Sequence, residues 1–198
     1  LKIPPRLRRH AIELFEQMDR AYDDVARPSG FVCNGCKDNC CMTRFFHHTL
    51  LEYLYLKEGL GKLAPEVLAE VKAQAESVVG QTAAMEGADR PVRIMCPLNQ
   101  AGRCILYAHR PMICRLHGIA HMLRRPDGQT QTGPGCDDFY SQCGPSTDHL
   151  LDRTPLYVAM AKLERELREA LGFNGKIKMT IAEMILDNSV KFDAHNIR

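Results

Sequence analysis

No stretch of this sequence approaches the roughly 18 consecutive apolar residues of a membrane-spanning helix. The opening Leu1-Lys-Ile-Pro-Pro-Arg-Leu-Arg-Arg-His10 also lacks the apolar segment of a secretory signal. The expectation is a cytoplasmic chain with no membrane partner. Missing too are a glycine-rich phosphate loop, a Gly-x-Ser-x-Gly elbow and a His-Glu-x-x-His helix, which sets aside phosphate cradling, serine hydrolysis and zincin-type peptidase chemistry. There is no internal repeat, no low-complexity stretch and no long block of one charge, and the net charge is only +2.

Cysteine, by contrast, is abundant. Nine occur in 198 residues, four of them in the run Cys33-Asn-Gly-Cys36-Lys-Asp-Asn-Cys40-Cys41, while Cys96, Cys104, Cys114, Cys136 and Cys143 follow singly. A disulfide framework fits poorly. Such frameworks serve secreted domains too small for a core, whereas this chain is 45% hydrophobic and its odd count would leave one thiol over. Close spacing of this kind reads as metal or redox chemistry, and any site shared with the later cysteines must be assembled by the fold.

Helices are legible on both sides of the cysteines. From Pro5 to Ala26, Leu7, Ala11, Leu14, Met18, Tyr22 and Val25 share one helical face. An apolar segment from Leu50 to Lys57 predicts a second helix ending near Gly59 to Gly61. Ala64-Pro65 opens a third, running to about Met85 with Leu68, Val71, Ala75 and Val78 inward and Gly80 weakening it midway. Between Gly87 and Pro145 the periodicity vanishes, predicting loops and short strands with a hairpin around Pro126-Asp127-Gly128. Thr154-Pro155 starts another helix to Leu171, striped by Leu156, Met160, Leu163, Leu167 and Ala170 and stopped at Gly172. Thr180-Ile-Ala-Glu183 has the form of a capping box. The expected architecture is mainly α and a single domain over 1–198. A helical scaffold, with flanking helices at 5–27 and 154–187, surrounds an irregular cysteine-rich metal-binding centre at about 31–145 with at most short β-strands.

Within that centre, Cys96-Pro97 precedes Gly102-Arg-Cys104-Ile-Leu-Tyr-Ala-His-Arg110-Pro-Met-Ile-Cys114-Arg115, and Pro134-Gly-Cys136 follows. Together with the first cluster, this resembles the YkgJ-type cysteine-cluster family, a zinc- or iron-chelating domain with a CxxCxxCC opening, a C-x-[IL]-Y-x-x-R-P-x-x-C-R centre and a late P-G-C. The opening departs from the pattern, with three residues between Cys36 and the Cys40-Cys41 pair, and a helical insertion separates Cys41 from Cys96. The resemblance implies metal chelation by Cys33, Cys36, Cys40, Cys41, Cys96, Cys104, Cys114 and Cys136, and leaves Cys143 a bystander. Related cysteine segments occur in flagellin lysine methylases, a hint of enzymatic relatives.

Spacing bears on which metal. Structural zinc sites commonly use two short Cys-x2-4-Cys pairs, and only Cys33 and Cys36 form one. Singly placed ligands and a Cys-Pro suit an iron-sulfur cluster better. The leading expectation is therefore an iron-sulfur cluster with a redox or electron-transfer role and a redox partner. The alternative is a Zn²⁺-stabilised module whose helical flanks bind a protein. His47, His48, His109, His117 and His121 could add ligands, His117 being the best placed, though eight thiolates already meet the need. Seven arginines and no Asp or Glu lie between Arg90 and Arg125. Arg110 and Arg115 are expected to act beside the cofactor, lowering thiol pKa values or bonding sulfur. A nucleic-acid patch is the weaker reading of the same charge, since only Tyr107 supplies an aromatic. Two enzymatic alternatives remain open: a Cys41 nucleophile with His47 or His48, and an oxidoreductase that cycles a disulfide of Cys40 or Cys41.

Overall fold

The computed structural model describes residues 1–33, 40–87, 91–144 and 149–188. Its seven α-helices are α1 (Pro5–Ala26), α2 (Leu50–Leu60), α3 (Pro65–Ala84), α4 (Met112–Leu116), α5 (Asp137–Cys143), α6 (Thr154–Leu171) and α7 (Ile181–Leu186). The strands are short: β1 (Asn99–Gln100), β2 (Arg103–Cys104), β3 (His121–Arg124), β4 (Thr130–Gly133) and β5 (Leu151–Asp152). The described chain is thus mainly helical with a few short strands, and none of its helices is long and apolar enough to cross a membrane.

Helix α2 lies at the centre. Every residue from Leu50 to Leu56 is buried, Glu52 included, the pattern of a helix covered on all sides. It packs against α6 and α7, while α1 packs against α4 and α6. The amphipathic pattern of α1 is realised as expected, with Leu7, Ala11, Leu14, Met18 and Val25 buried and Phe15 added to them. Helix α3 is peripheral. Only Val71 and Ala75 are fully buried, against α7, and the helix runs through Gly80 without interruption. In α6, Leu156, Met160, Leu163 and Leu167 face the core, but Ala170 at the end of the stripe is exposed.

Because α2 is buried, the N–H groups of its first turn need partners from the protein. Thr49 accepts the Glu52 N–H at 3.1 Å. The carboxylate of Glu164, reaching over from α6, accepts the Leu50 and Leu51 N–H groups at 2.8 and 2.9 Å. Arg168 also donates to it from one turn along α6. A second carboxylate repeats the arrangement: Glu52 accepts the N–H of Met112 at 2.9 Å, at the first residue of α4. The expected capping box on α7 is present, with Thr180 and Glu183 bonding each other's backbone.

The expected hairpin forms from β3 and β4, which pair antiparallel, with β5 added parallel to β3 on its other side. A second, two-residue hairpin pairs Asn99 with Cys104 across Ala101-Gly102. Both turn residues have positive φ, 49° and 86°, the conformation of a tight hairpin turn matched to strand twist. Asn99 Oδ1 accepts the Gly102 N–H to close it.

Two outcomes follow for stability. Glu164→Ala strips two buried N–H groups of their acceptor and should lower unfolding free energy by about 3 kcal/mol in a denaturant titration, with Glu164→Gln intermediate. Glu52 is the pH-sensitive one. Burial pushes its pKa up, but His47, Thr49 and the Met112 N–H outweigh burial and leave it below the ordinary glutamate value. Its stabilisation is therefore fully present above the unfolded value of about 4.3 and is lost as pH falls through the lower folded value. Glu52→Gln should flatten the acid side of the stability profile; an unchanged acid limb would refute the assignment.

Candidate thiol centre

The fold brings together cysteines that lie far apart in sequence. Cys40 and Cys41 sit in a single 3-10 turn, Cys40–Met42. An isolated antiparallel bridge of Thr43 to Arg93 lays the segment before Cys96 alongside that turn, and the Cys96 N–H donates to the Cys41 carbonyl at 2.9 Å. The β1–β2 hairpin carries Cys104 back beside Cys96, the Ile105 N–H bonding the Leu98 carbonyl at 2.9 Å. Helix α4, held by Glu52, supplies Cys114.

Cys41, Cys96, Cys104 and Cys114 are near enough that charge on one raises the pKa of another. Burial pushes the Cys96 thiol up to about 12, against a Leu98 N–H that donates to its sulfur, and charge on Cys41 and Cys104 adds to the rise. Cys114 goes up through burial, then through Cys96, Cys104 and Cys41. Cys104 also goes up by burial, with the Leu106 N–H, Arg110 and Arg115 resisting and Cys41 contributing. Cys41 moves the other way. Cys40 donates its S–H to it and, against burial, the Asn99 side chain and Arg110 hold the thiolate below the usual thiol range. Cys40 is raised in turn, by that hydrogen bond and by burial.

Cys33, Cys40 and Cys136 form a second neighbourhood around Tyr22 of α1. Burial raises the Tyr22 hydroxyl, and charge on Cys33, Cys136 and Cys40 raises it further. Cys136 caps α5, its sulfur accepting the Phe139 N–H at 3.4 Å. Gly135 makes that position possible: its φ is +92°, and a Cβ there would lie 2.8 Å from Phe139 and 2.9 Å from the Gly118 carbonyl oxygen. Cys143 stands apart, its S–H donating to the Ser29 carbonyl at 3.2 Å. Cys36 lies outside the described residues, as does Arg90.

Among the described residues no group of three or more His, Cys, Asp or Glu side chains is gathered tightly enough to hold a metal ion. A metal centre is therefore not shown, although the donor chemistry suits one. The neighbourhoods are built of soft sulfur ligands, and three of the sulfurs, on Cys96, Cys104 and Cys136, accept backbone N–H groups. Such bonds orient and tune thiolate ligands.

Arg110 and Arg115 occupy the expected region but are not bare charges. Arg115 is buried and donates to the carbonyls of Arg110 and Ala108 at 2.9 and 2.6 Å. Arg110 lies 3.5 Å above the Tyr107 ring and donates to the Tyr107 carbonyl at 3.0 Å. Both pair with Asp19 of α1. The acid-free interval of the sequence thus receives its counter-charge from a helix some ninety residues earlier, which no local pattern reveals.

Two of the histidines lie against aromatic rings. His117 packs edge-on against Phe45 with centroids 5.1 Å apart, and burial, then Arg153 and His121, lower its pKa. His109 stacks on Tyr55, His121 Nδ1 lies 3.1 Å from the Ile119 carbonyl, and His48 is exposed. His47 is buried with its Nδ1 3.7 Å from Glu52. Comparison of the chain with family models, with curated proteins and with solved structures finds no match.

The split between Cys40 and Cys41 is open to test. In the metal-free protein at pH 7, limiting iodoacetamide should modify Cys41 ahead of Cys96 and Cys114, as read by peptide mass spectrometry. Arg110→Gln should narrow the preference. Faster labelling of Cys96 than of Cys41 would contradict the arrangement.

Proposed function

We propose that the chain is a metal-binding cysteine-cluster protein of the YkgJ type, carrying an iron-sulfur cluster with a redox or electron-transfer role. The observation that supports this most directly is the convergence of Cys41, Cys96, Cys104 and Cys114 from four separate segments into one mutually repelling set. Thiols that disfavour one another's ionisation gain a common partner when a cation is bound, because metal binding removes protons and cancels the repulsion. Nothing in helix packing alone calls for four such groups on four segments.

In this reading Cys41, Cys96, Cys104 and Cys114 hold the group, and Cys33, Cys40 and Cys136 form a second set, to which the sequence resemblance adds Cys36. When bound, an iron-sulfur cluster supplies one-electron transfer. Its corners are separate in space, so it suits a more open set of thiolates than a single ion does. The protein's own contribution is orientation and charge. The Leu98 and Leu106 N–H groups fix the Cys96 and Cys104 sulfurs, and Arg110 favours the Cys41 and Cys104 thiolates. Asp19 holds both arginines in place. Cys40 donates its S–H to Cys41, which leaves Cys41 the more readily ionised of the pair.

Anaerobic purification from a host replete in iron and zinc tests the proposal. Stoichiometric iron and sulfide, with a broad visible band near roughly 400 nm, are expected of a thiolate-ligated cluster. Cys96→Ser and Cys104→Ser should each lose that band, while Cys143→Ser keeps it. A colourless protein with one or two zinc ions and no iron would overturn the iron-sulfur reading in favour of a zinc-stabilised interaction module.

A further inference from the structure

Arg153 is a buried guanidinium without an anion. It follows β5 directly, its backbone N–H donating to the Met122 carbonyl at 2.9 Å, and it is only 6% exposed. Nη2 donates to the Leu116 carbonyl at the end of α4, and Nε is sealed from solvent with no partner. Nη1 is neither bonded nor sealed in this way. Among the described residues Arg153 makes no ion pair. The group that acts to hold its charge is the Tyr157 hydroxyl, which burial keeps protonated. The charge is felt by its neighbours: after burial, Arg153 is the largest cause lowering the pKa of both His117 and His121. A carbonyl dipole satisfies one N–H but cancels no charge, and a guanidinium does not give up its proton. A charge left unpaired in the interior is strongly unfavourable, so this position calls for an anion that the described residues do not supply.

Arg153 lines a pocket of 440 Å³ together with His121, Leu123, Gln131 and Thr132, none of them acidic. Strand register explains the gathering. His121 pairs with Leu151 on β5 and with Gly133 on β4, and Leu123 pairs with Gln131. Alternate residues of a strand share a face, so His121, Leu123, Gln131 and Arg153 stand on the same side of the sheet. Gly133 leaves the imidazole its room, since a Cβ there would lie 2.4 Å from His121 Cε1. His121 Nδ1 lies 3.1 Å from the Ile119 carbonyl. A carbonyl only accepts, so Nδ1 carries the proton and the neutral ring offers Nε2 as an acceptor. The pocket volume falls within the roughly 300–1,000 Å³ of small-molecule sites, which leaves space for an organic group beside the anion. A phosphate monoester suits both walls. Its oxygens pair with a guanidinium, and its monoanionic form keeps an O–H to donate to a neutral imidazole, which a carboxylate at neutral pH does not.

We propose that this pocket binds a small phosphate monoester, its phosphate oxygens paired with Arg153 Nη1 beside the His121 imidazole. The thiols play no part in the site. Arg153 nevertheless links it to them through the Leu116 carbonyl, since Leu116 and Cys114 share α4.

Calorimetric titration of the full chain at pH 7, in a buffer free of phosphate, tests this with phenyl phosphate, benzoate and phenol. Phenyl phosphate should bind saturably and one-to-one, benzoate about tenfold more weakly, and phenol not at all. Arg153→Met should abolish binding of phenyl phosphate, and without ligand it should unfold at or above the wild-type temperature, because an unpaired buried charge has been removed. Gln131→Glu changes an exposed side chain of the pocket wall. It should weaken phenyl phosphate by about tenfold through like-charge repulsion, with helix content as in the wild type. No saturable binding, or unchanged affinity in Arg153→Met or Gln131→Glu, would overturn the site. Benzoate binding as tightly as phenyl phosphate would overturn the assignment to a phosphate. Should Arg153→Met fail to fold, the wild-type comparison and Gln131→Glu still decide.

Discussion

Carboxylates set at the N-termini of buried helices organise this structure. Glu164 on α6 holds the start of α2, Glu52 on α2 holds the start of α4, and α4 carries Arg115, whose guanidinium returns to Asp19 on α1. In the first two links the carboxylate is buried or nearly so, and each is stronger than the same pair on the surface. Each is also directional, fixing the rotation and depth of one helix against the next. Apolar packing would tolerate small slips between these helices; a carboxylate shared by two adjacent N–H groups does not. The location of Cys114 is a result of this relay as much as of its place in the chain.

The same relay explains why the helices that matter most to the site were the hardest to read. Helices α1, α2, α3, α6 and α7 were legible because each has an apolar pattern, a cap or a proline that acts locally. Helices α4 and α5 span only five and seven residues, too few for periodicity to register, and their first turns are satisfied by Glu52 from far along the chain and by the Cys136 sulfur. The cysteines were legible as a set but not as two neighbourhoods, since which thiol meets which depends on the hairpin at Ala101-Gly102 and the bridge at Thr43. His47 was legible only as one of several possible ligands, or as a base beside Cys41. Its burial and its Glu52 neighbour are products of the tertiary fold, and its partner in sequence, His48, is exposed.

Electrostatically, the centre is a compromise between burial and charge. Burial and mutual repulsion hold Cys96, Cys104 and Cys114 as thiols, while Cys40, Asn99 and Arg110 hold Cys41 as a thiolate. One readily ionised sulfur beside three thiols that burial holds up is a graded arrangement. Asp19 offsets part of the charge of Arg110 and Arg115.

The bond from the Cys96 N–H to the Cys41 carbonyl closes a long loop that contains both α2 and α3. Closing a loop of that length has an entropic cost that grows only slowly with its size, and here the apolar burial of α2 drives the closure. The segments that carry the thiols are therefore gathered by helix packing. Gathering them also requires contacts distant in sequence, which form late in folding. A nascent chain therefore exposes its cysteines separately, and the neighbourhoods that the fold makes of them exist only after α2 has packed.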